Sequence, residues 1–401
     1  MAGTPRRPAQ RRELCTAEPN SRRERKNAHW LAATLRAYHY KYVVERILLP
    51  IADMLDKQHG VLTHEQALSA GLSRRLIAAR LDSGLWQRLH RGVFVTFSGP
   101  VPREARLWGA VLRVGEHAVL SHHTAAEAWR LSDGPSGLIH VTVPRKAASP
   151  AIPGLVLHFS SRLAEARHPA RLPPQTKLEE TVLDLADLAR TAEDAVAWPI
   201  RACQRRLTTP DRVIVTLAAR SRARWRRDIA DAIPDIRAGV HSPLELRYVR
   251  DVERRHGLPR GDRQVPVIRG VTRQYVDVLY ADYGVVVELD GVLAHSADGK
   301  IRDTRRDNAN TLDGHQTLRY SWTPVAYHSC ATALEVFSLL RRRGLRTPFR
   351  PCGKACAAMT PKAACGPPAW PAPARRAARL PGGLPSSITT RRKPGRRRIR
   401  P

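Results

Sequence analysis

Acidic residues are scarce in this chain. Against 68 Lys and Arg there are only 36 Asp and Glu in 401 residues, a formal net charge of +32. Long apolar runs are missing too: no segment reaches the roughly 18 apolar residues of a membrane span, so no membrane partner is expected. The first residues, "MAGTPRRPAQRRELC", contain no apolar core of a secretory signal. The six cysteines are scattered, and residues 54–351 hold only Cys203 and Cys330. That excludes a disulfide-dense secreted scaffold and predicts a reducing, cytoplasmic setting. Cys352, Cys356 and Cys365 form a loose cluster in a Pro/Ala-rich tail. No matching His or second Cys pair nearby completes a tetrahedral set, so their spacing does not predict zinc.

The positive charge is not confined to the ends. Residues 1–53 carry eleven basic and five acidic side chains, and residues 352–401 carry twelve basic ones and no acid. This leaves +14 on residues 54–351. A body that basic predicts a polyanionic partner, double-stranded DNA first.

Composition and periodicity divide the chain into five parts, of mixed α/β (α+β) class. Residues 1–53 read as a basic extension, with Met54 a candidate true start. Residues 54–98 read as a winged helix-turn-helix, 99–240 as a mixed α/β middle region, and 241–346 as an α-β-β-α-β-α domain. Residues 347–401 read as a disordered basic tail.

Three helices and a hairpin are punctuated clearly between 54 and 97. "THEQALSAG" opens on Thr63 as a cap, and "LSRRLIAARLDSG" opens on Ser73 and closes at Gly84. The alternation in "LWQRLHRGVFVTF" predicts the hairpin. The third helix turns Leu76, Ile77 and Leu81 inward and leaves Arg74, Arg75 and Arg80 for DNA, with Arg88, His90 and Arg91 on the wing. A basic helix in the major groove beside a basic wing on the phosphates is a recognised docking geometry. In the middle region His122 and His123 read as residues of a helix entry, not as a catalytic pair.

The third stretch carries candidate chemistry. "HSPLELRYVRDVERRHG" is a helix with Ser242 as N-cap, Pro243 in its first turn and Glu245 closing a capping box. "QYVDVLYADYGVVVELDG" predicts two strands joined at Asp282–Gly284. A strand "QTLRYSWTPV", with Trp322 as core, and a last helix follow. Glu288 and Asp290 lie on one side of an apolar strand, where uncompensated charge is costly. The hairpin brings Asp277 alongside. Convergent carboxylates suit Mg²⁺ or Mn²⁺, with Asp277 and Glu288 as the metal ligands.

Residues 242–342 resemble bacterial domains related to the very-short-patch repair endonuclease, a branch of the PD-(D/E)XK nucleases. The matching pieces are "SPLELRYVRDVERRHGLP", "YVDVLYADYGVVVELDGVLAH" and "RDTRRDNANTLDGHQTLRYSW". The resemblance implies a restriction-endonuclease-like fold, with Asp277 as the metal-binding aspartate, Glu288 at the D/E position and His295 as a proton carrier. Asp290 stands where a lysine is usual, and Glu245 lies on the helix that leads into the site. Residues 54–240 separately resemble AbiEi-type antitoxins, on "HGVLTHEQALSAGLSRRLIAARLDSGLWQRLHRGVFV" and the segments after it. That resemblance implies operator binding by the winged helix and a toxin or defence-system partner. Two functions stand: a Mg²⁺-dependent DNA endonuclease or nickase, or an antitoxin-like transcriptional regulator whose nuclease-like domain has no catalysis.

Overall fold

The protein is described from a computed structural model over residues 51–145, 151–269, 272–290, 308 and 310–359. The chain forms two compact units, the first ending at Arg237 and the second beginning at Ala238.

The first unit opens with the three helices expected: α1 (Ala52–Lys57), α2 (His64–Ser69) and α3 (Arg74–Asp82). Strand β1 (Val61–Thr63) joins the hairpin β2 (Gln87–His90) and β3 (Val93–Val95) in a small sheet ordered β1-β3-β2. This is winged-helix topology. The caps are as the sequence predicts: Thr63 accepts from the Gln66 N–H in a reciprocal capping box, and Ser73 accepts from the Leu76 N–H. Ile77, Trp86, Phe94 and Leu62 form the core beneath α3. Burying a side chain such as Ile77 stabilises by about 1.5–3 kcal/mol. Ile51 is buried in the same core, so the folded unit begins before Met54.

The expected seam at 98/99 is absent. Helix α4 (Arg103–Val114) packs Ala105 and Trp108 on Val61, Val93 and Val95, so the middle region shares a core with the winged helix. Beyond it lies a sheet of β4 (Val119–Leu120), β5 (Ile139–Pro144) and β6 (Leu155–Ser160), with β5 and β6 parallel. Helix α5 (His122–Ala128) enters at His122, as predicted. Four further helices follow a short α6 (Leu163–Ala166): α7 (Leu178–Leu188), α8 (Ala192–Gln204), α9 (Pro210–Ala219) and α10 (Arg226–Arg237). Arg220 is buried at the end of α9 and donates to Glu180 and Asp184, both on α7. Breaking such a buried set by removing one member costs about 3–5 kcal/mol.

The second unit holds a four-stranded sheet ordered β10-β9-β8-β7. Its strands are β7 (Asp262–Arg269), β8 (Thr272–Tyr280), β9 (Val285–Asp290) and β10 (Gln316–Ser321). β8 and β9 are the antiparallel pair that the sequence predicts, turning through Gly284 at a φ of 59°. β10 runs parallel to β9. Strand β7 is an addition to the expected order. Pro266 argues against a strand, but β7 sits at the sheet edge, where a missing N–H is tolerated.

Helix α11 (Pro243–Arg247) continues as a π-helical stretch, Tyr248–Arg254, rather than as regular helix to Gly257. Trp322 does not end a strand; it begins α12 (Trp322–Tyr327), half-buried against the core, ahead of α13 (Ser329–Arg342). The predicted tail does not start at 347 either. Phe349 packs on the core, and Cys356 and Ala358 are buried.

Candidate nucleic-acid interface and carboxylate site

On the winged helix, Arg74 and Arg75 on α3 and Arg88 and Arg91 on the hairpin are exposed. None of the four pairs with a carboxylate among the described residues. Arg88 also lies over the Phe94 ring, its guanidinium carbon 6.0 Å from the ring centre. Arg80 departs from expectation, being half-buried and engaged with other groups. His90 is drawn inward as well: burial, then the charge of Arg113, holds its pKa below the usual imidazole value. What remains is four exposed cations on the helix and wing of a DNA-reading topology. Their long range and flexibility suit phosphate contacts.

Two carboxylates of the second unit, Glu245 and Asp277, meet at one residue that sequence reading missed. Gln264 lies between its β8 partners, with Arg263 opposite Val278 and Val265 opposite Val276, and so faces Asp277. Its φ of 48° is in the left-handed region, costly for a side chain of this kind. From there its amide nitrogen donates to Asp277 Oδ1 at 3.1 Å and to Glu245 Oε2 at 3.3 Å. Asp277 Oδ2 accepts the Leu289 N–H at 2.8 Å, across the hairpin.

Glu245 is not a simple capping box. Ser242 accepts the Glu245 N–H at 3.1 Å, but Glu245 reaches past the cap to accept the His241 N–H at 3.0 Å. Burial, helped by the nearby Asp277 charge, pushes the Glu245 carboxyl up to about 7 against the N–H donors that oppose it. Glu288 is 1% exposed, within the buried run Val285–Leu289. Arg319 stands beside it in the parallel register and donates to Asp290 Oδ2 at 2.6 Å. Arg319 therefore places a cation beside the two carboxylates of β9. A guanidinium keeps its proton, so it can offset charge without acting as a base.

The carboxylates do not form a tight set. Among the described residues, Glu245, Asp277 and Glu288 are not a group whose ligand oxygens all lie within 4.8 Å of one another. Their oxygens are the hard donors that Mg²⁺ prefers, and the Gln264 amide occupies the space between two of them. His295 lies outside the described residues.

A second polar cluster also escaped the sequence. His122 stacks on His158 at 3.5 Å between ring centres, and His140 contacts His158 at 3.0 Å between nitrogens. A cavity of about 370 Å³ beside them is lined by His122, His158, Glu180, Asp184 and Arg220 among others. Burial, then neighbouring imidazoles, lowers the His122 pKa to about 2, so the ring stays neutral. Burial raises Asp184 to about 6 in spite of Arg220. His140 and His158 lie two positions out of register on the paired strands β5 and β6, which no short motif in the sequence encodes.

Residues 50–96 match the family described as "Transcriptional regulator, AbiEi antitoxin". A crystal structure of the RV2827C protein from Mycobacterium tuberculosis is similar over 51% of this chain and 80% of that one, at 16% identity and a TM-score of 0.31. No curated protein matches the chain. The family match covers the winged helix with its exposed arginines and ends just past β3.

The raised Glu245 pKa has a testable consequence. A carboxyl whose folded pKa of about 7 exceeds its usual 4.5 binds its proton more tightly in the native state. Its contribution is present below pH 4.5 and is lost as pH rises through 7. The full loss is roughly 3 kcal/mol at 1.36 kcal/mol per unit. Denaturant unfolding across this range should show a decline that is smaller by about this amount in Glu245→Gln than in the wild type, with the part due to Asp184, raised to about 6, remaining in both. Equal profiles would place the proton elsewhere.

Proposed function

We propose that this chain is a duplex-DNA-binding transcriptional regulator of the antitoxin type, with the winged helix as its DNA reader. One observation carries the reading: α3 and the wing present Arg74, Arg75, Arg88 and Arg91 exposed and, among the described residues, without carboxylate partners. The match of residues 50–96 to an antitoxin regulator family supports the regulatory sense. A toxin or other defence-system protein is the partner this reading implies. Helix α3 lies in the major groove and the hairpin tip grips flanking phosphate, so affinity depends on released counterions.

The test is the salt dependence of duplex binding. In Arg74→Glu, Arg75→Glu and Arg91→Glu, the slope of log K against log salt should shrink by about 0.9 for each phosphate that the protein no longer neutralises. The fold should be unchanged, because these side chains support no core. A slope equal to wild type in all three would remove the winged helix from DNA binding.

A second reading rests on the second unit: a Mg²⁺- or Mn²⁺-dependent endonuclease-like domain. Gln264, held at a φ of 48° between buried Glu245 and half-buried Asp277, is the observation that favours it, since strained backbone clusters at working sites. Asp277 and Glu288 would hold the ion and Glu245 would border it, with the Gln264 amide giving way. The metal would polarise the phosphodiester, Arg319 would offset charge, and the proton would fall to Glu245 or His295. Calorimetric titration with Mn²⁺ separates the two readings. The nuclease-like reading predicts a saturable heat in wild type and none in Asp277→Asn. Equal heats in both, or none in either, leave the domain as a non-catalytic part of a regulator.

A further inference from the structure

One cluster in the second unit belongs to neither the DNA-facing arginines nor the carboxylates. His256, Cys330, Cys352 and Cys356 each offer one ligand atom, and these four atoms all lie within 4.8 Å of one another. They come from three separate places. His256 follows the π-helical stretch, Cys330 sits in the first turn of α13, and Cys352 and Cys356 lie on the segment after Phe349.

The chemistry of each ligand is suited to a metal. His256 is 1% exposed, and its Nδ1 faces the Val252 carbonyl oxygen at 3.1 Å. That bond puts the proton on Nδ1 and leaves the Nε2 lone pair open. Nε2 is buried with no hydrogen-bond partner. A buried, unpartnered imidazole nitrogen is costly unless something binds it. The arrangement in which the second ring nitrogen donates to a backbone carbonyl is the usual support of a metal-bound histidine.

The cysteines supply the rest. All three are free thiols, and Cys356 is buried. The Cys330 and Cys352 sulfurs are 3.6 Å apart. In a tetrahedral site with zinc–sulfur bonds of about 2.3 Å, adjacent sulfurs lie about 3.8 Å apart. Soft thiolates with one imidazole select zinc over the hard cations that carboxylates prefer.

The surroundings hold the ligands in place. The His256 ring stacks on Phe349 at 5.5 Å, and Phe349 in turn meets Phe337 of α13. The Arg350 N–H donates to the His256 carbonyl at 3.3 Å. Gly257, at a φ of 64°, lets that segment pass: an added Cβ would come within 3.1 Å of Arg350 Cβ.

We infer that His256, Cys330, Cys352 and Cys356 form a structural zinc site that fastens the segment after Phe349 to the π-helical stretch and α13. Four protein ligands leave no open position for substrate, so the role is structural. Zinc holds residues 351–359 against the core, where the sequence alone predicts a disordered tail.

The full-length protein, purified without chelator, should contain about one zinc per chain by elemental mass spectrometry. Cobalt substitution should give the intense visible bands of a tetrahedral thiolate site. Cys330→Ser and Cys356→Ser should lose the metal, to below about a tenth of an equivalent, while Cys203→Ser and Cys365→Ser keep it. Metal bound equally by all four variants would overturn the assignment. So would wild-type protein that takes up neither zinc nor cobalt after refolding with the ion, or freshly purified protein with a Cys330–Cys352 disulfide. If the serine variants fail to fold, the wild-type cobalt spectrum and metal content still decide.

Discussion

Arginine must be matched to carboxylate wherever it is buried, and both units depend on that constraint. In the first unit Arg220 is 8% exposed and is held by Glu180 and Asp184, with Asp187 a little further out. In the second, Arg263 pairs with Glu253 in the core, and Tyr280 donates to the same carboxylate. An unpaired ion at either place would cost several kcal/mol. With 36 acids for 68 bases, the chain has few carboxylates to spare. Glu180, Asp184 and Asp187 surround Arg220 and Glu253 holds Arg263, while Arg74, Arg75, Arg88 and Arg91 have no acidic partner among the described residues. The division of acids thus separates structural arginines from those able to meet a polyanion.

The same constraint shapes the carboxylate site. Glu288 lies in the most apolar strand of the sheet, and Arg319 on the adjacent strand stands beside it while bonding Asp290. Glu245 and Asp277 share the neutral amide of Gln264 instead. Burial raises the Glu245 carboxyl to about 7, and the neutral Gln264 amide opposes that rise without cancelling it. Glu245 and Asp277 thus meet a neutral partner, whereas Glu180, Asp184 and Glu253 meet a guanidinium.

Local signals were legible in the sequence and long-range ones were not. The caps at Thr63 and Ser73, the wing hairpin and the β8–β9 turn all rest on residues a few positions apart, and each formed as read. Strand β7 was hidden because Pro266 speaks against a strand, and its edge position is a tertiary fact. Glu245 was placed on the right helix, but the N–H that its side chain accepts is one residue further back than the cap rule gives. The role of Gln264 depends on a left-handed backbone inside a strand, which no pattern of apolar residues encodes. The His256 cluster was invisible for a plainer reason: its ligands are spread from 256 to 356, so no short motif joins them.

The central claim is that DNA meets this protein through α3 and the wing. Hydrogen exchange of the full chain, with and without a bound duplex, measures this directly. Slower exchange confined mainly to residues 73–83 and 87–95 is the predicted result, since those backbones carry the four exposed arginines or their supports. Protection that appears only in the sheet of the second unit, with α3 and the hairpin unchanged, would contradict it.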